Sequence, residues 1–151
     1  MKKIAAKIFA KYINWKSKSW INNPIRAQDK IFKFLIKNAV KTRFGIDHDF
    51  SSITNYDDYK SSVSINDYEQ IKPYVDKIIR GDKDVLWPGQ PIYFAKTSGT
   101  TSGAKYIPIT KESMPSHINS ARDAILNYIY QTGNVDFLSL IHISEPTRPS
   151  Q

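Results

Sequence analysis

Cysteine is absent from this chain of 151 residues, which excludes a disulfide framework and any thiolate metal site. No apolar run approaches the roughly 20 residues that a membrane-spanning helix needs, so stable insertion in a bilayer is not expected. Met1-Lys2-Lys3 followed by Ile4-Ala5-Ala6 begins like a secretory leader, but Lys7 and Lys11 break the apolar stretch too early. A cytoplasmic location is the resulting expectation. Acids are scarce in one part of the chain. Residues 1–43 hold 12 Lys and Arg against one acid, Asp29, and the remainder holds 10 against 13, so the net charge of +8 divides into +11 and −3. Such a basic segment suits nucleic acid, an anionic membrane or the wet face of two helices. The lysines are spaced and not blocked, which favours the wet face, and no nucleic-acid partner is expected. What is present suffices for one globular domain: 40% hydrophobic residues, 13% of the chain aromatic, and enough length for a core.

Glycine is sparse too, at 6, yet two glycines fall within Phe94-Ala95-Lys96-Thr97-Ser98-Gly99-Thr100-Thr101-Ser102-Gly103-Ala104-Lys105. Apolar runs flank this stretch, Pro91-Ile92-Tyr93-Phe94 before it and Tyr106-Ile107-Pro108-Ile109 after it, and predict a strand–loop–strand unit. Gly99 and Gly103 let the backbone bend and turn amide donors inward. The hydroxyls of Thr97, Ser98, Thr100, Thr101 and Ser102 add donors, and Lys105 adds a positive charge. That inventory suits a polyphosphate, although Ser, Thr and Gly are also common in plain solvated turns. It is not a Walker A loop: three residues separate Gly99 from Gly103, and Ala104 stands where the lysine belongs.

Along the chain, Ile4, Ile8, Phe9, Tyr12, Ile13 and Trp15 recur at helical spacing between lysines, predicting an amphipathic helix over 2–18. Its apolar face is expected to pack on the protein, though a basic amphipathic helix can also lie on a bilayer. Asn23-Pro24 reads as an N-cap and first helical residue. The stripe Ile31, Phe34, Leu35, Ile36, Ala39 and Val40 follows, with Gly45 as its left-handed cap. One short helix is expected around Tyr56–Tyr59. Asp67 caps another, in which Tyr68, Ile71, Val75, Ile78 and Ile79 face inward, Pro73 threatens a kink and Gly81 closes. Thr110, with Glu112 in the first turn, starts a last helix ending near Gly133, whose inner face is Met114, His117, Ile118, Ala121, Ala124, Ile125, Tyr128 and Ile129. His117 is either a ligand or proton-transfer group or an ordinary core or rim residue. Asp47-His48-Asp49 has metal-ligating residue types, but neighbours in one loop rarely converge on one ion, and no metal site is expected.

The loop resembles the phosphate-binding signature of the acyl-adenylate-forming superfamily, an aromatic followed by Ser/Thr-Ser-Gly-Thr-Thr-x-Gly and then Lys. Asn23-Pro24-Ile25 with Gln28, Thr42-Arg43-Phe44-Gly45, Asp67-Tyr68-Glu69, Lys72-Pro73-Tyr74 and Phe94 through Pro108 occur in the order seen in the Gretchen Hagen three family of acyl-acid amido synthetases. The chain is similar to a bacterial member from about residue 20 to about residue 137. The resemblance implies an α/β adenylate-forming fold for the whole enzyme. For this portion it implies a mostly α-helical structure with one β-hairpin that carries the loop. It also implies ATP and Mg2+ as cofactors and two partners, a small carboxylic acid and an amino acid. Thr97, Ser98, Gly99, Thr100, Thr101 and Gly103 would contact phosphate. Lys105 would be the catalytic cation, with an ordinary strand-edge lysine as the alternative.

Residues 1–137 then form an incomplete amino-terminal part of the large adenylation domain, without the adenine, ribose and acyl-pocket motifs. Leu138 through Arg148 resembles, residue for residue, the translation of a transposase mosaic-end sequencing adapter. Residues 138–151 are therefore expected to be a non-native, disordered tail, and this portion to be inactive alone. Two rival readings stay open: a different adenylate-former such as an acyl-thioester ligase, and a non-enzymatic basic helical module that docks on anionic membrane or nucleic acid.

Overall fold

The computed structural model describes residues 2–97 and 103–136; the suspected tail and the loop residues Ser98 to Ser102 lie outside them. Among the described residues the chain is mostly helical, with α1 (Lys2–Ile21), α2 (Pro24–Ala39), α3 (Arg43–Asp47), α4 (Tyr56–Ser62), α5 (Tyr68–Ile79) and α6 (Met114–Thr132). β1 (Tyr93–Lys96) and β2 (Tyr106–Ile109) form a two-stranded antiparallel sheet, as expected. No described helix is long and apolar enough to cross a membrane. The described residues divide into two compact units, residues 2–23 with 116–136 and residues 24–115 (the latter without 98–102).

In the first unit the core is Ala10, Ile13, Leu126, Ile129 and Val135, with Ala6 packed against it. The expected inner face of α1 is corrected here. Ile4, Ile8, Tyr12 and Trp15 are more than half exposed, and the small side chains Ala6 and Ala10 join Ile13 on the buried side. Apolar residues surround this helix, so spacing alone could not choose a face. The same correction applies to α6, which buries Leu126 and Ile129 and leaves Ile118 and His117 exposed. Gly133, at φ 67°, follows α6, and its N–H donates to Ile129 O.

The second unit is built on Ile36, Ala39, Phe50, Ile53 and Val63, ringed by Phe32, Val40, Phe44, Tyr59 and Trp87. Phe44 meets Phe50 and Tyr74 edge-on, with ring centroids 5.8 and 5.2 Å apart, the geometry aromatic quadrupoles favour. Of the stripe expected on α2, Ile36 and Ala39 are buried but Ile31, Phe34 and Leu35 are exposed. Pro24 opens α2 as expected, whereas the Asn23 side-chain amide donates backward to Ser19 O.

Gly45 does not cap α2. It sits inside α3, a short helix absent from the sequence expectation, and it is not among the positive-φ glycines. Its role is close approach: a Cβ there would run into the Ala39 carbonyl oxygen, a backbone atom that cannot swing aside. Helix α3 survives at five residues because its first N–H groups are all satisfied. Arg43 N–H donates to Asp84 O, Phe44 N–H to Val85 O and Ile46 N–H to Thr42 O. Gly45 N–H donates to Thr42 Oγ1, which itself donates to Ala39 O; Thr42 is fully buried.

Helix α4 starts in a capping box of Asn55 and Asp58, and α5 in one of Asp67 and Gln70. Helix α5 runs through Pro73 to Ile79 and its C-cap Arg80, and Gly81, at φ 101°, follows. The Gly81 N–H reaches Ile78 O and the Asp82 N–H reaches Lys77 O, a Schellman closure that needs a left-handed residue there. Thr110 and Ser113 bond reciprocally around a turn that precedes α6, so this helix starts later than expected and leaves Glu112 outside.

Two outcomes follow. Gly45→Ala should lower stability by about 2 kcal/mol or more, because the new methyl forces α3 away from the end of α2; the urea midpoint measures it. Acid should also weaken this unit. Hydroxyl and backbone N–H bonds from Thr54 hold Asp58 below its ordinary value, and Ser51 and Ser52 do the same for Asp49. At Asp47 burial raises the value, but bonds from Tyr74 and Arg43 outweigh it. Depressed carboxylates leave the unfolded chain binding more protons, so their contribution is whole above about pH 4 and is lost below it. Urea midpoints should stay level from pH 7 to about pH 5 and fall as the pH drops below about 4.

Candidate functional site

The hairpin pairs Tyr93 with Ile109, Phe94 with Pro108, Ala95 with Ile107 and Lys96 with Tyr106. One step further, Thr97 N–H donates to Lys105 O at 3.0 Å, and Lys105 N–H donates to Thr97 Oγ1 at 3.2 Å. These two bonds close the neck of the glycine-rich stretch, bringing two predicted site residues together. Gly103 takes φ 82°, in the left-handed region that favours glycine. Ser98, Gly99, Thr100 and Thr101 lie outside the described residues.

Strand β2 is steadied by a residue that the sequence places in an apolar stripe. Tyr106 N–H donates to the Tyr68 hydroxyl oxygen at 2.8 Å, and that hydroxyl donates to Tyr106 O at 3.3 Å. Tyr68, the first residue of α5, thus takes both edge groups of one strand residue, as a third strand would. Its position is set by Asp67, whose carboxylate accepts from Gln70 N–H while Gln70 Oε1 accepts from Asp67 N–H. The ammonium of Lys105 lies 5.2 Å from the Tyr68 ring centroid, and that of Lys96 lies 5.9 Å from the Tyr106 ring centroid. Phe94 meets Tyr106 edge-on at 6.4 Å. The sequence signals for Tyr68 were its place in that stripe and in the Asp67-Tyr68-Glu69 match, neither of which carried this role.

Asp47, His48 and Asp49 turn to separate partners. Asp47 accepts from Arg43 and Tyr74, the His48 ring bonds Ser62 O, and Asp49 accepts from Ser51. His117 is exposed on α6.

The GH3 family N-terminal domain matches residues 16–150. The chain belongs to the GH3 family. Among its relatives, the indole-3-acetic acid-amido synthetase GH3.15 of Arabidopsis thaliana is 29% identical over 122 residues, covering 79% of this chain and 20% of that protein. The jasmonoyl--L-amino acid synthetase GH3.5 of Oryza sativa subsp. japonica is 30% identical over 96 residues, covering 61% of this chain and 16% of that protein. The chain thus spans about a fifth or less of the length of the curated GH3 relatives it matches.

Proposed function

We propose that this chain forms part of an ATP-dependent acyl-acid amido synthetase of the GH3 family, within an α/β adenylate-forming fold, and that its hairpin grips the nucleotide's phosphates. The carrying observation is the closed neck between Thr97 and Lys105 at the base of a glycine- and hydroxyl-rich stretch. In the reaction, a carboxylate oxygen attacks the α-phosphorus of MgATP. The bond to the bridging oxygen breaks and pyrophosphate leaves, giving an acyl-adenylate. An amino acid's amine then attacks the acyl carbon; AMP leaves with the electron pair, the nitrogen loses its proton, and an amide remains. Such chemistry asks the protein chiefly to position phosphates and neutralise their charge. Lys105 supplies charge, while Thr97 and Gly103 hold and turn the stretch containing Ser98, Gly99, Thr100 and Thr101. Amide formation is favoured over thioester formation because both relatives described above are named as amino acid or amido synthetases.

The test uses the full-length polypeptide carrying this sequence. Pyrophosphate release should depend on an added carboxylic acid, and Ser98→Ala or Thr101→Ala should slow it about tenfold or more. Unchanged release in both variants removes the stretch from the mechanism.

A second reading has its own observation: the outward stripe Ile4, Ile8, Tyr12 and Trp15 on α1 lies beside Lys7, Lys11 and Lys18, as on a helix that docks on anionic lipid. It requires salt-sensitive sedimentation with anionic vesicles, lost when those lysines are changed to Gln. Equal sedimentation of wild type and variant dismisses it.

A further inference from the structure

The two outer edges of the hairpin are unlike. Thr97 N–H donates to Lys105 O, and the register sets Lys96 opposite Tyr106, Ala95 opposite Ile107 and Phe94 opposite Pro108. Bonded and unbonded pairs alternate along an antiparallel ladder, so Ala95 and Ile107 bond each other across the hairpin. Phe94 and Lys96 then turn their backbone groups outward on β1, and Tyr106 and Pro108 turn theirs outward on β2. The β2 edge is closed. There the Tyr68 hydroxyl takes both groups of Tyr106, Pro108 has no N–H to give, and α5 packs alongside. On β1 all four residues are exposed, and among the described residues nothing bonds the outward N–H and C=O groups of Phe94 and Lys96.

We propose that the open edge of β1 receives a strand of the longer GH3 polypeptide, from outside residues 1–151, paired to Phe94 and Lys96. The inference rests on the reading of this chain as part of a larger synthetase; it does not involve the nucleotide. The chain covers 20% of one curated GH3 relative and 16% of another, so most of a polypeptide of that length lies outside it. A ribbon of two strands is marginal in water, and a third strand is what gives it independent stability. Two donors and two acceptors in line, two residues apart, match the backbone of an extended segment. A lysine on an edge strand commonly repels such a partner. Here the Lys96 ammonium lies 5.9 Å from the Tyr106 ring centroid, on the β2 side and away from the open edge.

Amide hydrogen exchange at Phe94 and Lys96, measured without nucleotide in the full-length polypeptide and in the 151-residue chain, provides the test. Both amides should exchange about a hundredfold or more slower in the full-length protein, at every protein concentration. Lys96→Pro removes one outward N–H and leaves the bonds between β1 and β2 whole. It should lower the melting midpoint of the full-length protein by about 2 °C or more and leave that of the 151-residue chain unchanged. Lys96→Gln, which keeps the N–H, should leave both midpoints unchanged. Equal exchange in the two proteins overturns the inference, and so does protection in the full-length protein that Lys96→Pro leaves without a change in midpoint. Protection in the 151-residue chain that fades on dilution assigns the edge to a second copy and overturns it as well. Pyrophosphate release by the full-length protein is read separately: its failure beside slow exchange sinks the phosphate reading alone.

Discussion

A ribbon of two short strands is barely stable in water, and the candidate site hangs from such a ribbon. What the site depends on is the hydroxyl of Tyr68, which answers both the N–H and the carbonyl of Tyr106 at the edge of β2. One side chain at a helix start thereby substitutes for a missing neighbour strand. The capping box of Asp67 and Gln70 sets where α5 begins, and so where that hydroxyl points. Local helix chemistry is in this way coupled to the geometry of the loop's neck.

A similar economy holds the rest of that unit. Thr42, fully buried, receives a bond from Gly45 and gives one to Ala39, joining the end of α2 to the start of α3. The carbonyls of Asp84 and Val85 complete the accounting for α3, which ties the segment leading toward the hairpin back onto the helices. These bonds spare the polar groups between α2 and α3 the cost of going unpaired beside the apolar core of that unit. Gly45 is needed because these helices approach too closely for a methyl group.

Much of this was legible from residue types. Asp67, Gly81 and the paired apolar flanks of the glycine-rich stretch each name a local conformation by their own stereochemistry, and each is found where expected. Faces were less legible. Helix α1 carries apolar residues around its circumference, and the helix turns alanines inward while Trp15 and Ile8 remain exposed. On α6, Leu126 is buried although it lay outside the expected stripe. Periodicity reports that a helix can bury a face; the partner decides which one.

By itself the sequence determined the Asp67 cap, the Gly81 turn, the hairpin and the family, because these follow from backbone stereochemistry and from an ordered motif within one short stretch. Tertiary structure alone decided that Gly45 serves a close approach and not a cap, since its constraint is an oxygen of another helix. It alone decided that Tyr68 braces Tyr106, because a bond between residues so distant in the chain depends on how α5 and β2 meet in space.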